Sequence, residues 1–188
     1  MKKRLFSTFL PAAAIVAAAG CGKSDPAGVS PQKMADALYA VMSADRAVYA
    51  REVVARLQDE EAVIKASEHF KDDKALPLPA QMFRMGAETA QKQASGFTYA
   101  LLSSWPINKR NTPQTEAEKT GLRSVSESGK PYYTEEKLGG ERYFTAVYAD
   151  RAVSQACASC HNAHRDSPKH DFKLNDTMGG VVIRIALK

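Results

Sequence analysis

Cys157-Ala158-Ser159-Cys160-His161 sets two thiols and an imidazole within five residues. Two thiols three positions apart can each add to one vinyl group of a haem, and the adjacent imidazole can then ligate the iron. C-x-x-C-H is the attachment pattern for a c-type haem. Two other chemistries use similar residues. A structural zinc site usually draws its ligands from two separated knuckles; here His164 is the nearby fourth donor and all candidates crowd into one turn. A thioredoxin-like pair sits in a βαβ context, which the surrounding pattern lacks. The spacing therefore predicts one covalent haem c, with Cys157 and Cys160 as attachment points and His161 as the proximal iron ligand.

The distal side of such a haem needs a residue far from His161 in the chain. His69 qualifies, although a histidine at a helix end is also favoured by the helix dipole alone. His164 is three residues past His161 and is better placed for a propionate than for the opposite face; His170 sits in a charged loop. Met82 and Met85 follow the Pro77-Leu78-Pro79 turn and are the alternative distal ligands, since thioether ligation raises the potential, although helical Met is often core filler. Arg110, Arg165 and Lys169 are candidates to neutralise propionates, with surface ion pairs as the plainer reading. Trp105, Tyr132, Tyr133, Tyr143 and Phe144 are candidate packing rings, and ordinary core use is the default for them.

The elements that must position these residues follow from periodicity and turn chemistry. Ser30 and Pro31 read as N-cap and first helical residue. Leu38, Met42, Tyr49, Val53, Leu57 and Ile64 recur at three- and four-residue steps, predicting a long helix over 32–70 with its charges on a solvated face. A helix this long can also pack against a copy of itself. Pro77 and Pro79 turn the chain, a second helix spans 80–93, and 97–103 reads as a strand. The two prolines in 105–113 exclude helix and central strand there. Residues 114–128 form a third helix; 131–135, 142–152 with its alternating Tyr143, Thr145, Val147 and Ala149, and 181–187 after Gly179-Gly180 read as strands, with a turn at Gly139-Gly140 and a polar loop over 166–175. Helices first and strands later predict an α+β class with one antiparallel sheet.

The first residues read as targeting rather than fold. Lys2, Lys3 and Arg4 precede an interrupted apolar stretch from Leu5 to Ala19, too short for a comfortable membrane span. It ends in Ala18-Ala19-Gly20-Cys21, which resembles a bacterial lipobox; the alternative is ordinary cleavage after Ala17-Ala18-Ala19. Cys21 has no partner for a disulfide, so a lipoprotein signal over 1–20, lipidation at Cys21, a flexible tether over 21–30 and one domain over 31–188 are expected. Removing the three basic residues of the first twenty from a net charge of +5 leaves +2, which gives no nucleic-acid footprint.

Larger blocks carry a family resemblance. Ser104-Trp105-Pro106-Ile107-Asn108 through Asn111-Thr112-Pro113, then Cys157 to Asn162, Ser167-Pro168-Lys169, Asp171-Phe172-Lys173 and Met178-Gly179-Gly180-Val181-Val182-Ile183 together resemble the Tll0287-like haem domains over about residues 31–188. The resemblance implies a PAS-like antiparallel sheet with flanking helices and one covalent haem. It also implies a setting either as an isolated periplasmic haem protein or as the sensor region of a kinase or chemoreceptor. The cyanobacterial relative is similar to a cytochrome with His/Cys-ligated iron, whereas no cysteine is left over here. The expected function is a lipid-anchored periplasmic monohaem protein, on the outer rather than the inner membrane, that carries electrons to a redox partner protein or senses redox state or a small gas. The alternative from another class is a haem enzyme, such as a peroxidase or small nitrogen-oxide reductase, which needs an open distal site with acid/base groups.

Overall fold

The computed structural model describes residues 28–93 and 96–187, so the expected signal segment and Cys21 lie outside the described residues. Helix α1 spans Pro31–Val48; Ser30 caps it, its Oγ accepting from the Lys33 N–H at 3.3 Å, with proline in the first turn. The helix then continues as a twelve-residue π-helical stretch, Tyr49–Glu60. This differs from the expected single helix to Phe70. The last turn carries Asp59 and Glu60 and no basic residue, a charge pattern unfavourable at a helix C-terminus, and Ala62 turns the chain out at φ 53°. His69 therefore sits in a turn after the short strand β1 (Ala66–Ser67), which pairs in parallel with β2 (Leu76–Pro77).

Helix α2 covers Pro79–Gln93 and strand β3 Phe97–Leu102. Helix α3, Glu116–Ser128, opens with a capping box between Thr115 and Glu118 and closes on Gly129 at φ 67°, the left-handed conformation glycine adopts without strain. Strands β4 (Tyr132–Leu138) and β5 (Glu141–Arg151) form a hairpin over Gly139-Gly140, helix α4 spans Gln155–Ala163, and β6 spans Thr177–Leu187. The four long strands form one antiparallel sheet in the order β3-β6-β5-β4, so the last strand lies in the interior. The expected α+β, PAS-like architecture stands.

Alternation along β5 and β6 sends successive side chains to opposite faces. Ala146, Tyr148, Val181, Ile183 and Ile185 meet Ala35 of α1 and Phe83 of α2, whereas Val147 and Val182 meet Leu122 and Val125 of α3. Strand β6 starts at Thr177, earlier than expected, because Gly179 and Gly180 lie inside it. A Cβ on Gly180 would stand 2.7 Å from Leu122 Cδ2, so glycine lets α3 press onto the sheet. On that face Arg184 bridges Glu118 (2.6 Å) and Glu136 (2.7 Å). A third cluster, Ala152, Ala158, Phe172 and Met178 with Trp105 and Cys157, fills the end of the sheet beneath α4.

Candidate functional site

Helix α4 is anchored from below and tied from the side. Ala158 is fully buried in the sheet-end cluster. The Asn162 amide donates to the Phe172 carbonyl at 2.8 Å and accepts from the Phe172 N–H at 2.9 Å, and His170 Nδ1 lies 2.8 Å from the Asn162 carbonyl. These bonds hold the polar loop 166–175 against α4, so the helix cannot rotate freely. Cys157 and Cys160, three residues apart, share one helical side; Cys157 is half-buried and Cys160 exposed, and both are free thiols.

The His161 ring meets Phe172 edge-on, with centroids 5.9 Å apart. Its Nδ1 is buried and has no hydrogen-bond partner. Burial pushes the imidazole pKa down, opposed by Asp150 and assisted by His164 and Arg46. The ring is therefore neutral at pH 7, the state in which imidazole binds a metal. Burial, then electrostatic repulsion from Glu68 and Cys157 against a second negative charge, pushes the Cys160 thiol pKa up.

Cys157, Cys160 and His161 open into a cleft of about 780 Å³ between α4, the π-helical stretch, the β1–β2 turn and the Trp105 loop. Its apolar wall includes Ala50, Val54, Leu78, Pro106 and Ile107. The π-helical stretch, which no periodicity in the sequence marks, supplies one side; departures from α geometry of this kind recur at functional sites. An apolar cleft with two thiols and a neutral, partnerless imidazole at one wall fits a covalently attached planar group that carries a metal. The zinc alternative lacks a donor set: among the described residues no three His, Cys, Asp or Glu side chains converge.

The structure sorts the remaining sequence candidates. Trp105 and Arg110 line the cleft, and so do His69 and His164. His69 is exposed at the mouth, in the turn after β1. His164 Nε2 stands 2.5 Å from Glu68 Oε1. Arg165 is not brought to the cleft: its side chain is 90 % exposed beside Asp166. Lys169 stays outside the lining too, paired with Asp171 and lying over the rings of Phe172 and Trp105. Met82 and Met85 do not reach the cleft either; Met85 faces solvent from α2.

Sequence reasoning missed three residues that line the cleft. Met178 is nearly fully buried there. Arg46 of α1 is paired with Asp150 of β5, and Arg84 of α2 has, like Arg46, a buried Nε without a hydrogen-bond partner, its nearest anion being Glu88 at 3.7 Å. A helical arginine reads as solvated in sequence; only the register of α1 on the sheet turns Arg46 inward.

Comparison with known proteins adds the family. The profile of the family described as Tll0287-like matches residues 26–186. Among solved structures, that of the cyanobacterial heme-protein Tll0287 superposes with a TM-score of 0.53 at 13% identity, covering 85% of this chain and 98% of that one. At that identity the likeness shows the fold. No curated protein matches the chain. With a family profile running almost from end to end and the sheet and helices in agreement with it, the chain belongs to the Tll0287-like family.

Proposed function

We propose that this protein binds one covalent c-type haem and serves as a redox protein: an electron carrier, or a sensor of redox state or a small gas. The observation that carries this is the placement of Cys157, Cys160 and His161 on one short, fixed helix opening into an apolar cleft. The two thiols form the thioethers and His161 ligates the iron; bound haem supplies one-electron chemistry and an iron site for small ligands. The family supports the reading, because the solved relative is a heme-protein. Arg110 at the cleft, with Arg84 and Arg46 inside it, provides cations for anionic groups of the cofactor.

A lipid anchor at Cys21 would place the domain in the bacterial periplasm, on the outer membrane rather than the inner. The lipobox-like end of the first segment supports this, since Gly22 and Lys23 carry no inner-membrane retention signal. Among the described residues no helix is long and apolar enough to cross a membrane. Cys21→Ser should release the protein or block its processing; an unmodified mature N-terminus on a wild-type protein free in solution contradicts the anchor.

A second reading, a haem enzyme of the peroxidase or nitrogen-oxide reductase type, is favoured by one observation. The cleft holds ionisable groups beyond His69, namely the His164–Glu68 and Arg46–Asp150 pairs. One experiment tests the function and divides the readings: absorption spectra of the purified protein, oxidised, reduced, and reduced under carbon monoxide. A Soret band in a six-coordinate spectrum indifferent to carbon monoxide supports a carrier. A carbon monoxide-responsive band supports gas sensing or catalysis. Absence of a Soret band overturns the haem reading.

A further inference from the structure

Helix α1 wears its charges inside out. It has four charged residues, Lys33, Asp36, Asp45 and Arg46. Two of them turn inward: Asp36 accepts hydrogen bonds from Tyr133 (2.8 Å) and Tyr148 (2.6 Å), and Arg46 pairs with Asp150. The other two, Lys33 and Asp45, are exposed, and the rest of the face opposite the sheet is small and apolar. Met34, Val41 and Val48 are 41%, 62% and 50% exposed, and Ala37, Ala40 and Ala44 between them are exposed too. A helix lying on a protein surface normally shows charged and polar residues on its outer face, and exposed apolar stripes of this kind mark contact sites.

The order of the stripe identifies its partner as a helix. Met34, Ala37, Val41, Ala44 and Val48 are spaced 3, 4, 3 and 4, the a/d pattern of a coiled-coil seam. A helix that lies in a lipid surface is instead rich in Lys and Arg on one side and in Trp, Phe and Leu on the other, which this stripe is not. The sizes point to a second copy of this chain. Antiparallel pairing that sets Ala37 opposite Val41 also sets Met34 opposite Ala44, so Met34 and Val41 each meet an alanine on both sides of one two-fold axis, and Val48 lies beyond the paired stretch. Such self-complementarity is the requirement of an isologous interface. The same pairing brings Asp45 beside the first turn of the other α1, which has no acidic residue of its own and whose dipole favours one.

We infer that the outer face of α1 is a homodimer interface, packed antiparallel through Met34, Ala37, Val41 and Ala44. The seam from Met34 to Ala44 is about 15 Å long, and a single helix pair of that length covers less than the roughly 800 Å² per partner of a standard stable interface. The dimer is therefore concentration-dependent rather than permanent.

Sedimentation of the purified full chain in a non-ionic detergent tests this. Wild type should show a dimer fraction that rises with concentration. Val41→Glu should sediment as a monomer with the absorption spectrum and melting temperature of wild type. Ala37→Lys combined with Val41→Glu should regain the dimer, because the introduced acid faces the introduced base only in the antiparallel arrangement. A wild type that stays monomeric at every concentration, or a Val41→Glu variant that dimerises unchanged, overturns the interface. Failure of the double variant to dimerise overturns the antiparallel geometry. If the Cys21→Ser chain binds phosphatidylethanolamine–phosphatidylglycerol vesicles and Val41→Glu weakens that binding, the stripe is a lipid contact and the inference is wrong.

Discussion

Asp150, at the end of β5, grips the guanidinium of Arg46 with both carboxylate oxygens, the second at 3.1 Å, at the wall of the cleft that Cys157 and His161 face. Both side chains are largely buried, 20% and 12% exposed. Arg46 also lies over the Phe83 ring, 5.9 Å from its centroid. The pair ties α1 to the sheet and fixes two opposite charges beside the proposed cofactor site.

The first prediction uses those signs. Oxidised iron carries one more positive charge than reduced iron, so a nearby cation favours reduction and an anion favours oxidation. Arg46→Met leaves the Asp150 carboxylate alone and should lower the reduction potential. Asp150→Asn should raise it, and Arg46→Lys should lie between Arg46→Met and wild type. Redox titration of the three haem-loaded variants reads this directly. Shifts of one sign in both Arg46→Met and Asp150→Asn would show that the pair acts through packing alone. Breaking a buried pair from one side also costs about 3–5 kcal/mol of stability, so Arg46→Met should melt earlier.

The second prediction concerns acid. Burial pushes the Glu136 carboxyl pKa up, but hydrogen bonds from Thr145 and Arg184 outweigh it and hold the pKa below the ordinary value. A carboxyl with a lowered folded pKa contributes stability that is full above its unfolded pKa, about 4.3, and is lost as pH falls through the folded value. Melting temperature should therefore drop as pH falls below about 4.3. Glu136→Gln should flatten that limb while costing roughly 1.5–3 kcal/mol at neutral pH. An unchanged acid limb in the variant would assign it to other carboxylates.

A third prediction concerns the distal side. His69 is at the cleft mouth rather than on a helix covering it. If it ligates the iron, His69→Ala should turn a low-spin oxidised spectrum at least partly high-spin and tighten carbon monoxide binding. An identical spectrum and identical carbon monoxide affinity would remove His69 from the site, leaving Met178 as the buried thioether in the cleft.

The legible parts of the molecule were those written locally. Ser30-Pro31 and Gly139-Gly140 carry their own cap and turn chemistry. The alternation in 142–152 reports a half-buried strand, and C-x-x-C-H carries its chemistry in five residues. What escaped the sequence depends on distant partners. The switch from α1 to a π-helical stretch leaves the apolar spacing nearly unchanged. The end of the helix at Glu60 rests on acidic residues that a solvated helix also carries. Arg46 finds Asp150 across 104 residues, and nothing near either residue announces it. Arg165 and Lys169, close to the motif in sequence, were expected at the cofactor, but the loop tied by Asn162 carries both away from the cleft.

Intact mass of the mature protein, produced in a host that attaches c-type haem, decides whether the haem is covalent. One haem should be added to the chain, retained on denaturation as in-gel peroxidase activity, found on the peptide that contains Cys157 and Cys160, and lost when both are changed to serine. A mature chain of unmodified mass, or haem that leaves on denaturation while both thiols remain free, would contradict covalent attachment.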